Sequence, residues 1–476
     1  MKSLRPLNHI AVIMSMALVV FGLGCEKNLL DLTPHQSVSD EEFLKSLSDF
    51  QAAIIGAYDQ LSIPDWYGRY MLLVPDVMGE DVKQNAQANR AKEWAEYNGS
   101  TTTTHRIDRE FWAEIYEGIH MVNRIINAEF EPSEAVRDKY NQILGEAYAI
   151  RALAYFDLVR LFAQHYTFTP DASHPGVPIV LEFDINQKPA RNTVKEVYDQ
   201  IISDFEKAIS LMTIDPPNAG RLSKEAAQAL LSRVYLYKED WAKAEQLATA
   251  VINSGKYTLV PRDQYLTMFF PGLSSEAIFE MVYTIADNPG SNHLGGMYKS
   301  TGYGDYLPSN DLISMIDDND IRKGLFIYDP ELPGGKWGNL RVNKYPSSGA
   351  EIATDNIPVI RLSEVYLIRA EARAHLGNEA GAIEDLMTIR RRAWPEAPQV
   401  TATGQELLEE IYKERRIELC FEGHRIFDIT RQKKDLVRKD CTAPVCYVPY
   451  PNDLFILPIP FEEVNVNPNI TQNPGY

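Results

Sequence analysis

Carboxylates, histidines and cysteines are the side chains through which this chain could do chemistry, and most fall outside any reactive pattern. Two carboxylates facing each other across a sugar bond would make a glycosidase, and with 66 acidic residues such a pair stays open. Glu110, Glu114 and Glu117, however, follow helical spacing and read as a solvated helix face. Asp317-Asp318-Asn319-Asp320 lacks the glycine and the distal glutamate of a calcium-binding loop and reads as a turn. There is no His-Glu-x-x-His and no Gly-x-Ser-x-Gly, and Gly302-Tyr303-Gly304 lacks the third glycine of a dinucleotide loop. The nine histidines are scattered, with no two at metal-ligand spacing. No catalytic residue, metal or cofactor is therefore expected. Cys420 sits beside Leu419 and Phe421 in a helical pattern and reads as a buried thiol. Cys441 and Cys446 flank a four-residue loop and could pair outside the cytoplasm.

The densest charged segment is 414–431. Arginines buried beside carboxylates must be paired or they cost several kcal/mol, so Arg415, Arg416, Arg425, Asp428 and Arg431 are expected to form a structural ion network.

The elements that must position these groups are mostly helical. Residues 10–23 form an apolar run of 14 residues behind Lys2 and Arg5. As a helix it would span ~21 Å, short of a ~30 Å hydrocarbon core, so it reads as an export signal. Cys25 follows Gly22-Leu23-Gly24. The junction resembles a bacterial lipobox, in which cleavage leaves a lipid-bearing cysteine, although Gly22 stands where leucine is usual. The plainer alternative is a secreted protein cut after Gly24. Residues 1–24 are thus read as a signal peptide, 25–38 as a tether and 39–476 as one globular domain with halves at about 39–215 and 216–476. A net charge of -19 repels nucleic acid and anionic headgroups, so no nucleic-acid partner is expected.

A capping box at Ser39 and Glu42 predicts a helix burying Phe43, Leu47, Phe50, Ile54 and Leu61. Residues 64–106, mixed in Pro, Gly, Asn and aromatics, read as a long functional loop. Helices follow at 107–129, at about 133–164, and from a second capping box at Thr193 and Glu196. An internal repeat then appears: Glu146-Ala-Tyr-Ala-Ile-Arg-Ala152 matches Glu364-Val-Tyr-Leu-Ile-Arg-Ala370, with a looser copy at Ala229-Leu-Leu-Ser-Arg-Val-Tyr235. Tight turns at Glu239-Asp240 and Gly377-Asn378 lead into second amphipathic helices. Residues 255–360 hold a strand at 277–283 and no long helix. The fold class is mainly α: a tetratricopeptide-like helical-hairpin scaffold with an irregular, loop-rich lobe and minor β.

The charged segment has the form Glu-Arg-x-x-Glu-Leu-x-Phe-Glu-Gly-x-Arg-x-Phe-Asp-x-x-Arg. With Leu454-Phe-Ile-Leu-Pro-Ile-Pro460 and Asn467-Pro-Asn-Ile-Thr-Gln-Asn-Pro-Gly-Tyr476, it resembles the C-terminal half of the SusD/RagB family of outer-membrane nutrient-binding lipoproteins. Leu30-Asp31-Leu32-Thr33-Pro34, Phe111-Trp-x-x-Ile-Tyr116, Asn123 and Tyr148-x-x-Arg-Ala152 are similar to the family's N-terminal half. The resemblance implies a helical scaffold beneath a less regular lobe, and a lipid anchor at Cys25 on the outer face of the outer membrane. It also implies a SusC-like TonB-dependent transporter as partner and capture of oligosaccharides or other nutrients without cleavage. The Cys441/Cys446 loop is a departure from the pattern.

Sugar rings have apolar faces and hydroxyl rims, so exposed loop aromatics flanked by Asn, Asp, Arg and Gln are the expected contacts. Segments 64–100 and 286–345 supply them, giving Trp66, Tyr67, Trp94, Tyr298, Tyr303 and Trp337 as candidate ligand contacts. Trp112 and Trp241 lie in helical patterns and read as core. Two alternatives stand beside glycan capture: a repeat scaffold binding only proteins, or a binder of non-sugar nutrients such as peptides. A surface glycosidase using an unrecognised carboxylate pair is a third.

Overall fold

A computed structural model describes residues 44–99, 107–182, 184, 186–269, 274–332, 339–346 and 353–476. Helix α1 (Leu47–Ser62) buries Phe50, Ile54, Ala57 and Leu61. Its N-cap is Ser46, in a reciprocal box with Asp49, and residues 44–46 are not helical. The start expected at Ser39 is thereby corrected, since Ser46 satisfies the same orphan amides one turn before the apolar stripe. Ser39, Glu42 and Phe43 lie outside the described residues.

Segment 64–99 is not the open loop expected. It contains α2 (Tyr70–Met78), whose nine residues are all buried, then β1 (Val82–Gln84) and the short α3 (Lys92–Ala95). The scaffold continues with α4 (Ile107–Asn127), α5 (Arg137–Phe162), α6 (Val194–Leu211), α7 (Lys224–Tyr237) and α8 (Trp241–Asn253). The box at Thr193 and Glu196 caps α6 as expected. In the lobe lie β2 (Ala277–Met281), β3 (Tyr306–Pro308), α9 (Asn310–Ser314), β4 (Phe326–Tyr328), β5 (Leu340–Val342) and β6 (Ile357–Arg361). The chain then returns to helix in α10 (Leu362–His375), α11 (Glu379–Ala393), α12 (Gly404–Leu419) and α13 (Arg425–Arg431). Strands β7 (Leu436–Val437) and β8 (Tyr447–Val448) and helix α14 (Phe461–Val466) follow. Four two-stranded antiparallel ladders form among the described residues: β1–β3, β2–β6, β4–β5 and β7–β8.

The repeat falls on α5, α7 and α10, and its arginine has a common task. Arg151 forks onto Asp204 of α6 at 2.7 and 2.8 Å. Arg369 forks onto Asp385 of α11 at 2.7 and 2.9 Å. In the looser copy, Arg233 reaches forward to Glu364 of α10 at 2.6 and 2.7 Å. Planar guanidinium and carboxylate match in two bonds, which fixes the rotation of each helix against its neighbour.

The expected ion network is present and wider than anticipated. Asp428 accepts from Arg415 at 2.9 Å and from Arg431 at 2.8 Å. Arg431 also pairs Glu371. Arg416 and Arg425 point elsewhere, to Asp81 at 2.7 Å and to Glu80. A neighbouring cluster joins scaffold to lobe: Arg361, at the end of β6, bonds Glu276, Glu418 and Glu422 at 2.6 to 2.8 Å. Burial alone would raise the Glu418 carboxyl; Arg392, Arg361 and Arg322 around it hold it well below the usual range. Cys420 is buried, which pushes its thiol up to about 12. Cys441 and Cys446 form a disulfide across the β7–β8 hairpin.

Candidate ligand-binding site

The two aromatic-rich segments do meet, but mostly not through the residues expected. After α1 the chain folds back in a tight turn, with the amide of Gly68 donating to the Ile63 carbonyl at 2.9 Å. A Cβ on Gly68 would lie 2.5 Å from the Ser62 carbonyl oxygen, so the turn needs glycine there. The turn drives its aromatics inward. The indole N–H of Trp66 and the hydroxyl of Tyr67 donate to the two oxygens of Asp157 at 2.9 and 3.1 Å, and Arg160 neutralises that carboxylate at 2.6 Å. Trp66 is 0% exposed and Tyr67 3%. Both are core residues in this fold, not open platforms.

Two more expected contacts are buried. Trp94, 2% exposed, lies beneath Gly99, and Tyr298, 0% exposed, packs edge-on to Phe421 at 5.6 Å. The physical reason is the same for all four: each large ring removes more apolar area from water inside the core than a surface position allows. Trp337 and Cys25 lie outside the described residues. Trp112, 5% exposed, is in the core as read. Trp241 is half-buried and stacks on His375 at 3.8 Å.

Among the described candidates Tyr303 is half-buried and keeps part of its ring at the surface, and the same folding that buries Trp66, Tyr67, Trp94 and Tyr298 assembles polar groups around it. The Gly68 carbonyl accepts from the Leu294 amide at 3.1 Å. The β1–β3 ladder pairs Gln84 with Tyr306, and Asn85 extends it, its amide donating to the Asp305 carbonyl at 2.8 Å. Segments more than two hundred residues apart in the chain are thereby locked side by side. The turn carrying Tyr303 closes on itself: a Cβ on Gly302 would sit 2.4 Å from the Gly296 carbonyl oxygen.

The resulting rim consists of Asp65, Arg69, Arg90, Asn292, Tyr303 and Asp305. Arg69 and the Tyr303 hydroxyl both donate to the Asn292 side-chain carbonyl at 3.1 Å. Arg69 also reaches Asp65 at 3.4 Å and lies over the Tyr70 ring at 4.0 Å. Its Nε–H has no acceptor among the described residues. Arg90 lies over the Tyr303 ring, its guanidinium carbon 3.1 Å from the centroid, and pairs Asp305 at 3.2 Å. Burial pushes the Asp305 carboxyl up, against the pull of Arg90. Burial also pushes the nearby Glu93 up to about 7.

Chemically this is a flat aromatic and two planar cations bordered by an amide and two carboxylates. Such a set donates and accepts hydrogen bonds in fixed directions and carries no nucleophile poised beside a base. Asn, Asp, Arg and Gln partners are expected by type in the sequence, but none of these charged and amide members is picked out by position there. The i,i+4 spacing of Asp65 and Arg69 around Trp66-Tyr67-Gly68 was the available signal. Among the described residues no group of three or more His, Cys, Asp or Glu could hold a metal, and no helix is long and apolar enough to cross a membrane.

Comparison with known proteins covers both halves of the chain. The SusD family matches residues 327–476, and the family described as "Starch-binding associating with outer membrane" matches residues 30–236. SusD-like protein P2 of Formosa agariphila is 28% identical, over 95% of this chain and 97% of its own length. The starch-binding protein SusD of Bacteroides thetaiotaomicron is 33% identical over a shorter stretch, 30% of this chain and 25% of its own. Among solved structures, a SusD superfamily protein from Bacteroides vulgatus superposes with a TM-score of 0.83 at 30% identity. That superposition covers 91% of this chain and all of the other. Another, from Bacteroides thetaiotaomicron, gives 0.82 at 30% identity, over 90% of this chain and all of its own. With both chain halves matched and the whole helical scaffold shared, the chain belongs to the SusD family.

Proposed function

We propose that this protein captures oligosaccharides at the outer membrane, at the rim around Tyr303, and passes them to a TonB-dependent transporter without cleaving them. The observation that carries the reading is the convergence of Arg69, Asn292, Arg90 and Asp305 on one surface tyrosine. A sugar ring presents an apolar face to an aromatic ring and hydroxyls to its border, and each hydroxyl both donates and accepts. Held guanidinium and amide groups cost little entropy to engage. The family's description and the name of its starch-binding member support a carbohydrate ligand and an outer-membrane setting. Lipid attachment at Cys25 and delivery to a SusC-like transporter complete the proposal; the transporter would receive what the rim holds.

The test is calorimetry and affinity electrophoresis of the wild type across a panel of neutral α- and β-glucans, galactans, mannans and xylans. Tyr303→Ala should weaken the best ligand about tenfold or more, as expected for ~1–2 kcal/mol of stacking, and Arg69→Ala comparably. Unchanged affinity in both variants, or no binding to any glycan, overturns the proposal.

A further inference from the structure

Where the lobe meets the repeat helices there is a second cleft, of about 470 Å³, that shares no residue with the Tyr303 rim. We infer that it is an additional saccharide site, taking a short stretch of neutral glycan; the inference rests on the reading of this protein as a carbohydrate binder. Its volume lies in the range of small-ligand sites.

The floor of the cleft is ionic and internally paired, two guanidiniums against three carboxylates. Arg322, 1% exposed, pairs Asp320 and Glu414, each at 2.6 Å. Arg390 divides its fork between Glu414 at 2.7 Å and Glu410 at 2.8 Å. On the rim, Asp317 and Lys413 are exposed and of opposite sign. A strongly anionic ligand therefore meets no unspent counter-charge, and a strongly cationic one meets two guanidiniums and the exposed Lys413 for a single excess carboxylate charge. A wholly apolar one would have to cover two guanidiniums and three carboxylates, at a desolvation cost nothing returns. A neutral polyol meets neither objection. Its hydroxyls donate to Glu410 and accept from Arg390 without changing the charge balance.

The wall supplies the other half of sugar recognition. Trp394 follows the last residue of α11 on extended backbone, its amide donating to the Arg390 carbonyl at 2.8 Å. It packs against an apolar cluster that includes Ala370, Leu386 and Ile411 and lines the cleft with Pro398 and Ile316. The ring is half-buried, so it is held in place before any ligand arrives. The pairing of an aromatic wall with a polar, ion-paired floor repeats the composition of the Tyr303 rim on a different part of the fold.

The experiment titrates wild type, Tyr303→Ala, Trp394→Ala and the double variant Gln399→Ala/Lys413→Ala, two exposed residues that line the cleft, with the same neutral glycan panel, with melting curves as folding controls. Short oligosaccharides should bind the wild type at two independent sites. Tyr303→Ala should weaken one of them about tenfold or more and leave the other unchanged. Trp394→Ala, and more weakly the rim variant, should remove or weaken the other by about tenfold. If Trp394→Ala loses its fold, the surface rim variant decides alone, and an unchanged second affinity there overturns the inference. A single binding equivalent abolished by Tyr303→Ala overturns this site and leaves the proposed function standing. Absence of binding to every glycan overturns both.

Discussion

Replacing Arg438 with methionine should cost about 3–5 kcal/mol of stability. Helix α2 is buried along its whole length and has no basic residue in its last turn. The last carbonyls of any helix lack intrahelical partners, and here water is excluded from them. Arg438 fills the role from the far end of the chain. Its Nε–H donates to the Gly79 carbonyl at 2.9 Å, and Nη2 donates to Val77 at 2.8 Å and Met78 at 3.3 Å. Nη1 donates to Ala95 at 2.6 Å and Val445 at 3.0 Å. The cation also sits favourably at the negative end of the helix. Burial pulls the guanidinium below its ordinary range, yet an arginine stays charged. Each bond from a charged donor is worth ~1.5–3 kcal/mol, and losing several from one group is less than additive because carbonyls relax and water enters. The buried carbonyls left without a donor cost ~1–3 kcal/mol each before relaxation, which with that loss of additivity sets the figure. Urea denaturation with an unchanged slope is the assay. Arg438→Lys, with one point charge and three donors, should recover about half. A loss below ~1 kcal/mol in the methionine variant would refute the argument that these carbonyls depend on Arg438.

Two other outcomes follow from the structure and from the proposed anchor. Glu280 lies in β2 and accepts from Asn356 at 2.9 Å; burial pushes its carboxyl up to about 7. A carboxyl raised in the folded state binds its proton more tightly there, so its contribution falls as pH rises from about 4.5 to about 7. Glu280→Gln should therefore stabilise the protein at pH 8 by ~1–3 kcal/mol and have little effect at pH 4; equal effects at the two pH values in thermal melts would count against the assignment. Cys25→Ala should shift the protein from the membrane to the soluble fraction on cell fractionation, and retention with the outer membrane would refute lipid attachment there.

The repeat helices and the cap at Thr193 were legible because their causes are local. Apolar residues at helical spacing, a Thr-x-x-Glu box, and small residues beside Tyr-x-x-Arg act within a few residues of one another. The charged segment around Asp428 was legible in kind, since so many arginines near carboxylates must be paired if buried. Its partners were not, because Glu80, Asp81 and Glu371 lie far off in the chain. The start of α1 was misplaced for a related reason: only the box at Ser39 was read, and which serine starts the helix depends on where the apolar stripe meets the core.

The site was legible only as a region. An aromatic side chain has the same apolar area whether it floors a binding surface or fills a core, so Trp66, Tyr67, Trp94 and Tyr298 could not be sorted by type. Asp157, ninety-one positions after Trp66, takes the first two inward, and the β1–β3 ladder leaves Tyr303 among Arg69, Arg90 and Asn292. What the chain determined by itself was helical content, the repeat and the family, since these rest on periodicity and contiguous motifs. Which rings face solvent and which cations meet them was decided by the tertiary structure, because burial is a property of packing between distant segments and no residue carries it alone.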